Sequence, residues 1–221
     1  MEHRYFVGKG GADAPILYVV DMVAHPFDFA RAVQGLTCHV ATLPVEDWNA
    51  QMTPWPAPGL YKGEDAYPGK AAQTLAEFAN NSMPAIEAAH ALHPRSRAIA
   101  GYSLGGLFAL WSLITDDVFD AAASMSGSLW YPRWLDWLAE TLCEQRPLAN
   151  KYAYLSLGTK EKRARPEILK TVEANTLSTR DAFEAAGATT SYTTFPGGHM
   201  TGVPDRIRAG LIALDAHLAR S

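Results

Sequence analysis

Short apolar runs alternate with longer amphipathic segments along this chain, and the alternation constrains its fold more than any other feature. The apolar runs are rich in β-branched residues and predict strands at 4–7, 16–21, 39–43, 98–101, 121–125, 152–157 and 191–195. The segments between them repeat apolar residues every three to four positions and predict helices at 27–34, 70–92, 104–114, 134–144, 166–186 and 204–219. Such alternation is typical of crossover units on a mainly parallel sheet, so we predict the α/β class.

Two segments depart from this regular pattern. Pro84 lies inside the second helical segment and predicts a kink or a break near 80–82, because proline cannot donate a helical hydrogen bond. The segment 46–69 contains four prolines and four large aromatic residues without a clear period. It is longer than most connections in a compact domain, and long loops of this kind are often functional. Since the sequence has neither repeats nor a linker-like stretch, we expect one domain over 1–221.

Composition narrows the classes of function. The chain has 221 residues, 48% hydrophobic and 19% charged, which is enough apolar side chain for one sizeable core. Its 19 basic and 23 acidic residues give a net charge of -4, without the basic excess that nucleic acid binding needs. No apolar stretch approaches the roughly 20 residues that span a bilayer, and the start lacks the apolar centre of a secretion signal. We therefore expect a cytoplasmic protein that binds neither nucleic acid nor membrane, and in which Cys38 and Cys143 are inert thiols.

The sequence Gly101-Tyr102-Ser103-Leu104-Gly105 lies between a predicted strand and a predicted helix, as a nucleophile elbow does. A nucleophile in such a sharp turn needs small neighbours, and glycines at 101 and 105 remove side chains that would collide. The start of the helix also places the Leu104 N–H and a positive dipole end beside a developing oxyanion. The pattern favours acyl transfer with Ser103 as nucleophile over a glycine-rich turn with a capping serine.

A serine hydroxyl needs a base, and histidine has the suitable ordinary pKa. Among seven histidines, His199 directly follows the last predicted strand, at the strand ends where Ser103 also lies. The third member should be a carboxylate between these two in the chain. Glu161, just past the strand 152–157, is the best placed, although its charged neighbours also fit a solvated loop. Glu167 and Asp136 remain alternatives.

The remaining site residues are predicted from their position near strand ends. A second oxyanion donor is expected in the loop after Asp21, from the N–H of Met22 or Val23, and His25 lines the same mouth or caps the next helix. Aromatic surface for the acyl or alcohol part of a substrate is offered by Trp48, Trp55 and Trp130. Packing in a core or loop explains these three tryptophans equally well.

With these residues in view, the chain resembles the putative-esterase group of α/β-hydrolases, which includes enterochelin esterases, esterase D and feruloyl esterases. The resemblance is carried by the segments Gly101–Leu110, Met52–Trp55, Ser126–Trp130, Leu157–Glu161 and Phe195–His199. Gly127 stands where the family usually has proline. Only one strand fits before Ile16, where fuller members have two.

This resemblance implies a three-layer α/β-hydrolase fold with a mostly parallel sheet of about seven strands. It implies Glu161 and His199 as partners of Ser103 in the hydrolysis of a small-molecule ester, without cofactor or metal. A thioesterase or acyltransferase with the same nucleophile, and a non-catalytic binding protein on the same fold, remain alternatives. Because no apolar stripe suggests self-association, a monomer or weak homodimer is expected.

Overall fold

The computed structural model describes residues 3–144 and 148–220. Its strands are β1 (Tyr5–Phe6), β2 (Ile16–Met22), β3 (His39–Val45), β4 (Arg97–Tyr102), β5 (Ala121–Met125), β6 (Tyr152–Gly158) and β7 (Thr189–Phe195). Its α-helices are α1 (Trp48–Gln51), α2 (Ala71–Glu77), α3 (Met83–Ala89), α4 (Leu104–Thr115), α5 (Trp134–Glu144), α6 (Val172–Ala185) and α7 (Val203–Leu218). The side chain of Cys143 lies outside the described part, whereas Cys38 is buried.

One seven-stranded sheet has the order β1-β3-β2-β4-β5-β6-β7, and all its strands are parallel except β1. Apolar side chains form a core on each face. One core joins the sheet to α2 through α6, and the other joins it to α7 and the segment 27–38. These two layers, one of helices and one of α7 with the segment 27–38, lie on opposite faces of the sheet and confirm the predicted three-layer α/β-hydrolase architecture.

The strand order fixes where a site can form. The chain runs from β2 outward to β3 and then returns to place β4 on the other side of β2. The carboxyl ends of β2 and β4 therefore border the crevice where the connections diverge, the usual ligand site of an open parallel sheet. Ser103 directly follows β4 at this edge.

The interruption predicted at Pro84 is confirmed. A five-residue π-helical turn, Phe78–Ser82, joins α2 to α3, and Pro84 lies in the first turn of α3. Since Pro84 has no N–H to donate, the widened turn accommodates the missing bond without separating the two helices.

The helix predicted at 27–34 is wrong. That segment forms turns, and its α-type contact is the bond from Val33 N–H to Phe29 C=O. Phe29, Ala32 and Leu36 are buried against the sheet, so the spacing that suggested a helix reflects burial of a winding segment. The predicted helix 166–186 likewise begins as a 3₁₀ turn, Glu167–Thr171, before α6.

The aperiodic segment 46–69 contains local structure that its sequence does not reveal. Asp47 caps α1 by accepting a hydrogen bond from Ala50 N–H at 3.0 Å. Ala57 and Tyr67 exchange two backbone hydrogen bonds of 3.1 and 2.8 Å, which close the tip of the loop. None of the described helices is long and apolar enough to cross a bilayer.

Candidate active site

Ser103 occupies a strained turn between β4 and α4. Its backbone has φ 58° and ψ -124°, in the region that side chains other than glycine rarely adopt. The turn is held by the Ser103 N–H, which donates to Met125 C=O at 3.1 Å. The side chain of Ser103 does not cap α4 within the described structure, so its hydroxyl is free to point into the crevice.

The predicted need for glycine on both sides of Ser103 is confirmed. A Cβ on Gly101 would overlap the backbone of Gly105. A Cβ on Gly105 would come within 2.6 Å of Val20 Cγ2 and 2.9 Å of Trp48 Cη2. A Cβ at position 101 would therefore require the backbone of the turn to move, and one at position 105 would require the side chains of Val20 and Trp48 to move.

The side chain of His199 lies between those of Ser103 and Glu161, although Glu161 precedes it in the chain. Its Nε2 is 3.1 Å from Ser103 Oγ, and its Nδ1 is 2.8 Å from Glu161 Oε2. The loop that carries His199 is tied to β4, because the Tyr102 hydroxyl donates to the carbonyl oxygen of His199. The three side chains thus form one hydrogen-bonded chain from a serine to a carboxylate.

Glu161 is buried, unlike the charged residues beside it. It is 4% exposed, whereas Lys160, Lys162 and Arg163 are exposed. Its Oε1 accepts hydrogen bonds from Gly158 N–H at 2.7 Å and from Ser126 Oγ at 2.9 Å. The position of Glu161 just after β6 therefore predicted its place in the site better than the exposed charges beside it did.

The electrostatic environment keeps Glu161 ionised. Burial acts to raise its pKa, but the hydrogen bond and charge of His199, together with the Gly158 N–H and the Ser126 hydroxyl, hold the pKa below its ordinary value. The alternative acids lie elsewhere. Glu167 pairs with Lys170 at the surface, and Asp136 lies in the first turn of α5.

Arg206 is a site residue that the sequence analysis missed. This arginine on α7 is 0% exposed, and its Nη1 donates to Glu161 Oε1 at 2.7 Å and to Ser126 Oγ at 2.6 Å. A signal was present in the sequence, because Arg206 is one turn before Gly210 and so falls on the apolar face of α7. A charged residue on a buried face requires a buried partner of opposite charge.

The candidate oxyanion donors differ in whether their N–H groups are already hydrogen-bonded. The Leu104 N–H opens α4, where first-turn N–H groups have no partner within a helix. The Val23 N–H donates to Val45 C=O at 2.9 Å, so the prediction of Val23 as a donor is wrong.

Met22 is the better placed of the two residues at the end of β2. N–H groups alternate sides along a strand, and Ile16 N–H points toward β4, where it bonds Ser96 C=O. Met22 shares that orientation and lies beyond the last β2–β4 pair, Val19 with Ala100. Its N–H therefore faces the side on which Ser103 lies.

Two cavities flank Ser103 and His199. The larger, about 430 Å³, is lined mainly by aromatic and aliphatic side chains, among them Trp48, Tyr61, Tyr67, Trp130 and Leu169. The smaller, about 290 Å³, is lined by apolar residues of β2 and α7 and also by Met22 and His25. An ester bond placed at Ser103 would have room for a group on each side.

The three predicted substrate-binding tryptophans do not share one role. Trp48 lines both cavities and Trp130 lines the larger one. Trp55 lines neither: its Nε1 donates to Pro132 C=O at 2.9 Å, and its ring packs against Tyr131 and Trp137. The prediction of Trp55 as a substrate contact is therefore wrong, because its ring packs against other aromatic rings outside both cavities.

The lowered pKa of Glu161 predicts how stability depends on pH. A carboxyl whose pKa is lower in the folded than in the unfolded state stabilises the fold above its unfolded pKa of about 4.3. This contribution is lost as the pH falls through the folded pKa. Urea unfolding in neutral and acidic buffer should therefore show a smaller loss of stability on acidification for Glu161→Gln than for the wild type. Equal losses would contradict the assignment.

Comparisons with known proteins agree with this fold. An IroE-like serine hydrolase from Shewanella oneidensis superposes with a TM-score of 0.75 at 18% identity, over 93% of this chain and 72% of that one. The siderophore hydrolase EstA from Aspergillus nidulans gives 0.73 at 19% identity, over 92% and 83% of the two chains. These likenesses show the α/β-hydrolase fold.

Sequence comparison gives the family. The family model described as "Putative esterase" matches residues 10–203. The uncharacterized protein YbbA of Bacillus subtilis strain 168 is 28% identical over 144 residues, which are 63% of this chain and 56% of that relative. The chain therefore belongs to the putative-esterase family, and its fold is of the α/β-hydrolase type.

Proposed function

We propose that this protein is a serine carboxylic-ester hydrolase that works through an acyl-enzyme, with Ser103, His199 and Glu161 as its catalytic residues. The observation that carries the proposal is the hydrogen-bonded chain itself. Ser103 Oγ lies 3.1 Å from His199 Nε2, and His199 Nδ1 lies 2.8 Å from Glu161 Oε2. These distances are within the range that general-base activation of a nucleophile requires.

The first half of the reaction forms the acyl-enzyme. His199 Nε2 takes the proton of Ser103 as Oγ attacks the ester carbonyl, and the N–H groups of Leu104 and Met22 hold the resulting oxyanion. Ionised Glu161 keeps Nδ1 protonated and stabilises the imidazolium. His199 then gives its proton to the departing alcohol as the carbon–oxygen bond of the ester breaks.

Water completes the cycle by the same route. His199 takes a proton from a water molecule as the water attacks the acyl-enzyme, and the collapse of the second tetrahedral intermediate returns a proton to Ser103 Oγ. The products are a carboxylic acid and an alcohol. Every proton in these steps is carried by His199, so the proposal needs no metal and no organic cofactor.

The experiment that tests the function is hydrolysis of nitrophenyl esters, followed by release of nitrophenol and by labelling with a serine-reactive phosphonate. We expect turnover of simple esters and a stable adduct on Ser103. Since two similar structures are named as siderophore hydrolases, a siderophore ester belongs in the panel. Absence of both hydrolysis and labelling would contradict the proposal and favour a binding protein. Transfer of the acyl group to a thiol or alcohol in place of water would favour an acyltransferase.

The larger cavity should select the size of one part of the ester. Two series of esters, one varied in the acyl group and one in the alcohol, are compared in Trp130→Ala. Because Trp130 lines only the larger cavity, we expect the preference for length to change by about tenfold in one series and to be unaltered in the other. Trp55→Ala is the matched control, since it removes a tryptophan outside both cavities. An equal change in both series would contradict the separation of the two cavities.

A further inference from the structure

Arg206 is a fully buried cation that the proposed reaction does not use. Burial of a guanidinium is costly, and its partners repay that cost only when the geometry is good. Nη1 has the two contacts described above and a third to the Tyr102 hydroxyl at 3.2 Å, and Nη2 donates to Gly198 C=O at 2.8 Å. Nε has no hydrogen-bond partner in the described structure. The position of the guanidinium is therefore fixed by the hydrogen bonds of its two terminal nitrogens, Nη1 and Nη2.

The contacts of Arg206 restrict which oxygen of Glu161 is available. Oε1 accepts from three donors: Arg206 Nη1, Ser126 Oγ and Gly158 N–H. An oxygen that is already satisfied three times has no lone pair left for a histidine. Oε2 is therefore the oxygen that faces His199, and the carboxylate cannot rotate without breaking all three bonds.

Nη2 of Arg206 holds the loop that carries His199, the partner of Glu161. Gly198, whose carbonyl accepts from Nη2, directly precedes His199 in the chain. The Tyr102 hydroxyl, which accepts from Nη1, donates to the carbonyl of His199 itself. One side chain on α7 therefore fixes both Glu161 and the loop that carries the base.

Arg206 also changes the charge that His199 experiences. Glu161 and Arg206 form an ion pair of 2.7 Å, so the imidazolium formed during catalysis faces a neutral pair instead of a lone carboxylate. Other charged or titratable groups near His199 include Tyr102 on β4, Asp21 and His25 across the smaller cavity, and Tyr61, Tyr67 and Arg165 at the larger one. Asp21 is paired with Arg4. Arg206 is the permanent positive charge in contact with Glu161.

We propose that Arg206 is a positioning residue that orients Glu161 and the His199 loop and pairs the charge of Glu161, the carboxylate that contacts the proposed base. This inference rests on the proposed function. It concerns a residue that touches neither the nucleophile nor an ester bound at it.

The test compares Arg206→Met with Arg206→Lys by measuring kcat and KM across the pH range. Methionine keeps much of the volume and removes both the charge and the donors. We expect kcat to fall by about 10- to 100-fold with little change in KM. We also expect the acid limb of the kcat/KM profile to move to higher pH by about half a unit or more, because the imidazolium then faces an unneutralised carboxylate. Arg206→Lys keeps the charge, so its acid limb should remain at the wild-type pH while kcat still falls.

The matched control is Arg208→Met on the same helix. Arg208 donates to backbone carbonyls of Arg31 and Ala32 at the other side of α7, and its removal should leave the pH profile unchanged. If Arg206→Met does not fold, Arg206→Gln is the second variant, because glutamine keeps donor groups while removing the charge and leaves Glu161 in place. Its acid limb should also move to higher pH.

An acid limb of Arg206→Met that stays at the wild-type pH, or moves to lower pH, would overturn the proposal. So would a shift of equal size in Arg206→Lys. Failure of the esterase proposal itself is recognised separately, because the wild type would then hydrolyse no ester and bind no phosphonate.

Discussion

Replacing Ser103 by alanine is expected to lower kcat for ester hydrolysis by about 10⁵-fold or more, down to the rate that the oxyanion donors and binding alone provide. The chemistry needs an oxygen at this position to form the acyl-enzyme, and no other described hydroxyl lies within hydrogen-bonding distance of His199 Nε2. The fold should be unaffected. Alanine and serine have the same difficulty with φ 58°, and the Ser103 hydroxyl caps no helix within the described residues.

The measurement is steady-state hydrolysis beside thermal unfolding of the same preparation. Ser112→Ala is the matched control: it removes a fully buried hydroxyl from α4, and that hydroxyl has no hydrogen-bond partner in the described structure. We expect wild-type activity from Ser112→Ala. Activity within a few-fold of wild type in Ser103→Ala would refute the acyl-enzyme mechanism.

Replacing Gly101 by alanine is expected to lower the free energy of unfolding by about 3 kcal/mol or more and to abolish activity. The new Cβ would overlap the carbonyl of Gly105, which belongs to the backbone of α4 and has no free rotation to relieve the overlap. The turn between β4 and α4 must then open, and opening moves Ser103 away from His199.

Denaturant unfolding and ester hydrolysis test this expectation together. Gly11→Ala is the matched control, since nothing in the described structure lies within 4 Å of the Cβ that it would add. It should change stability by only a few tenths of a kcal/mol. If Gly101→Ala were as stable as Gly11→Ala, the turn would have space for a Cβ at position 101, and this expectation would be wrong.

The strands were predictable because each buried strand is a continuous apolar run bounded by polar residues. The helix predicted at 27–34 failed for a related reason. Apolar spacing reports which side chains are buried, and here Phe29 and Ala32 are buried from a turn instead of a helix. The short helix α1 was missed because an Asp47 cap and one turn of helix leave almost no periodic signal.

The site was predictable where function depends on position along the chain. Ser103, Glu161 and His199 all follow strands of one sheet, so parallel strands bring their side chains to one edge. The place of Arg206 on the apolar face of α7 indicated a buried partner, but the identity of that partner depends on how α7 packs over the sheet, which the sequence does not show. Val23 was wrong because its N–H already donates to Val45 C=O, and Trp55 was wrong because its ring packs against Tyr131 and Trp137. Only tertiary contacts reveal either fact.

Among the described residues, the two cavities share only Trp48, Ser103 and His199. Substitutions confined to one cavity have few atoms in common with substitutions confined to the other. Free-energy effects of residues without shared partners usually add. Selectivity for the two parts of an ester can therefore change independently, in evolution or in directed selection. Trp48 is the exception, because a substitution there alters both cavities.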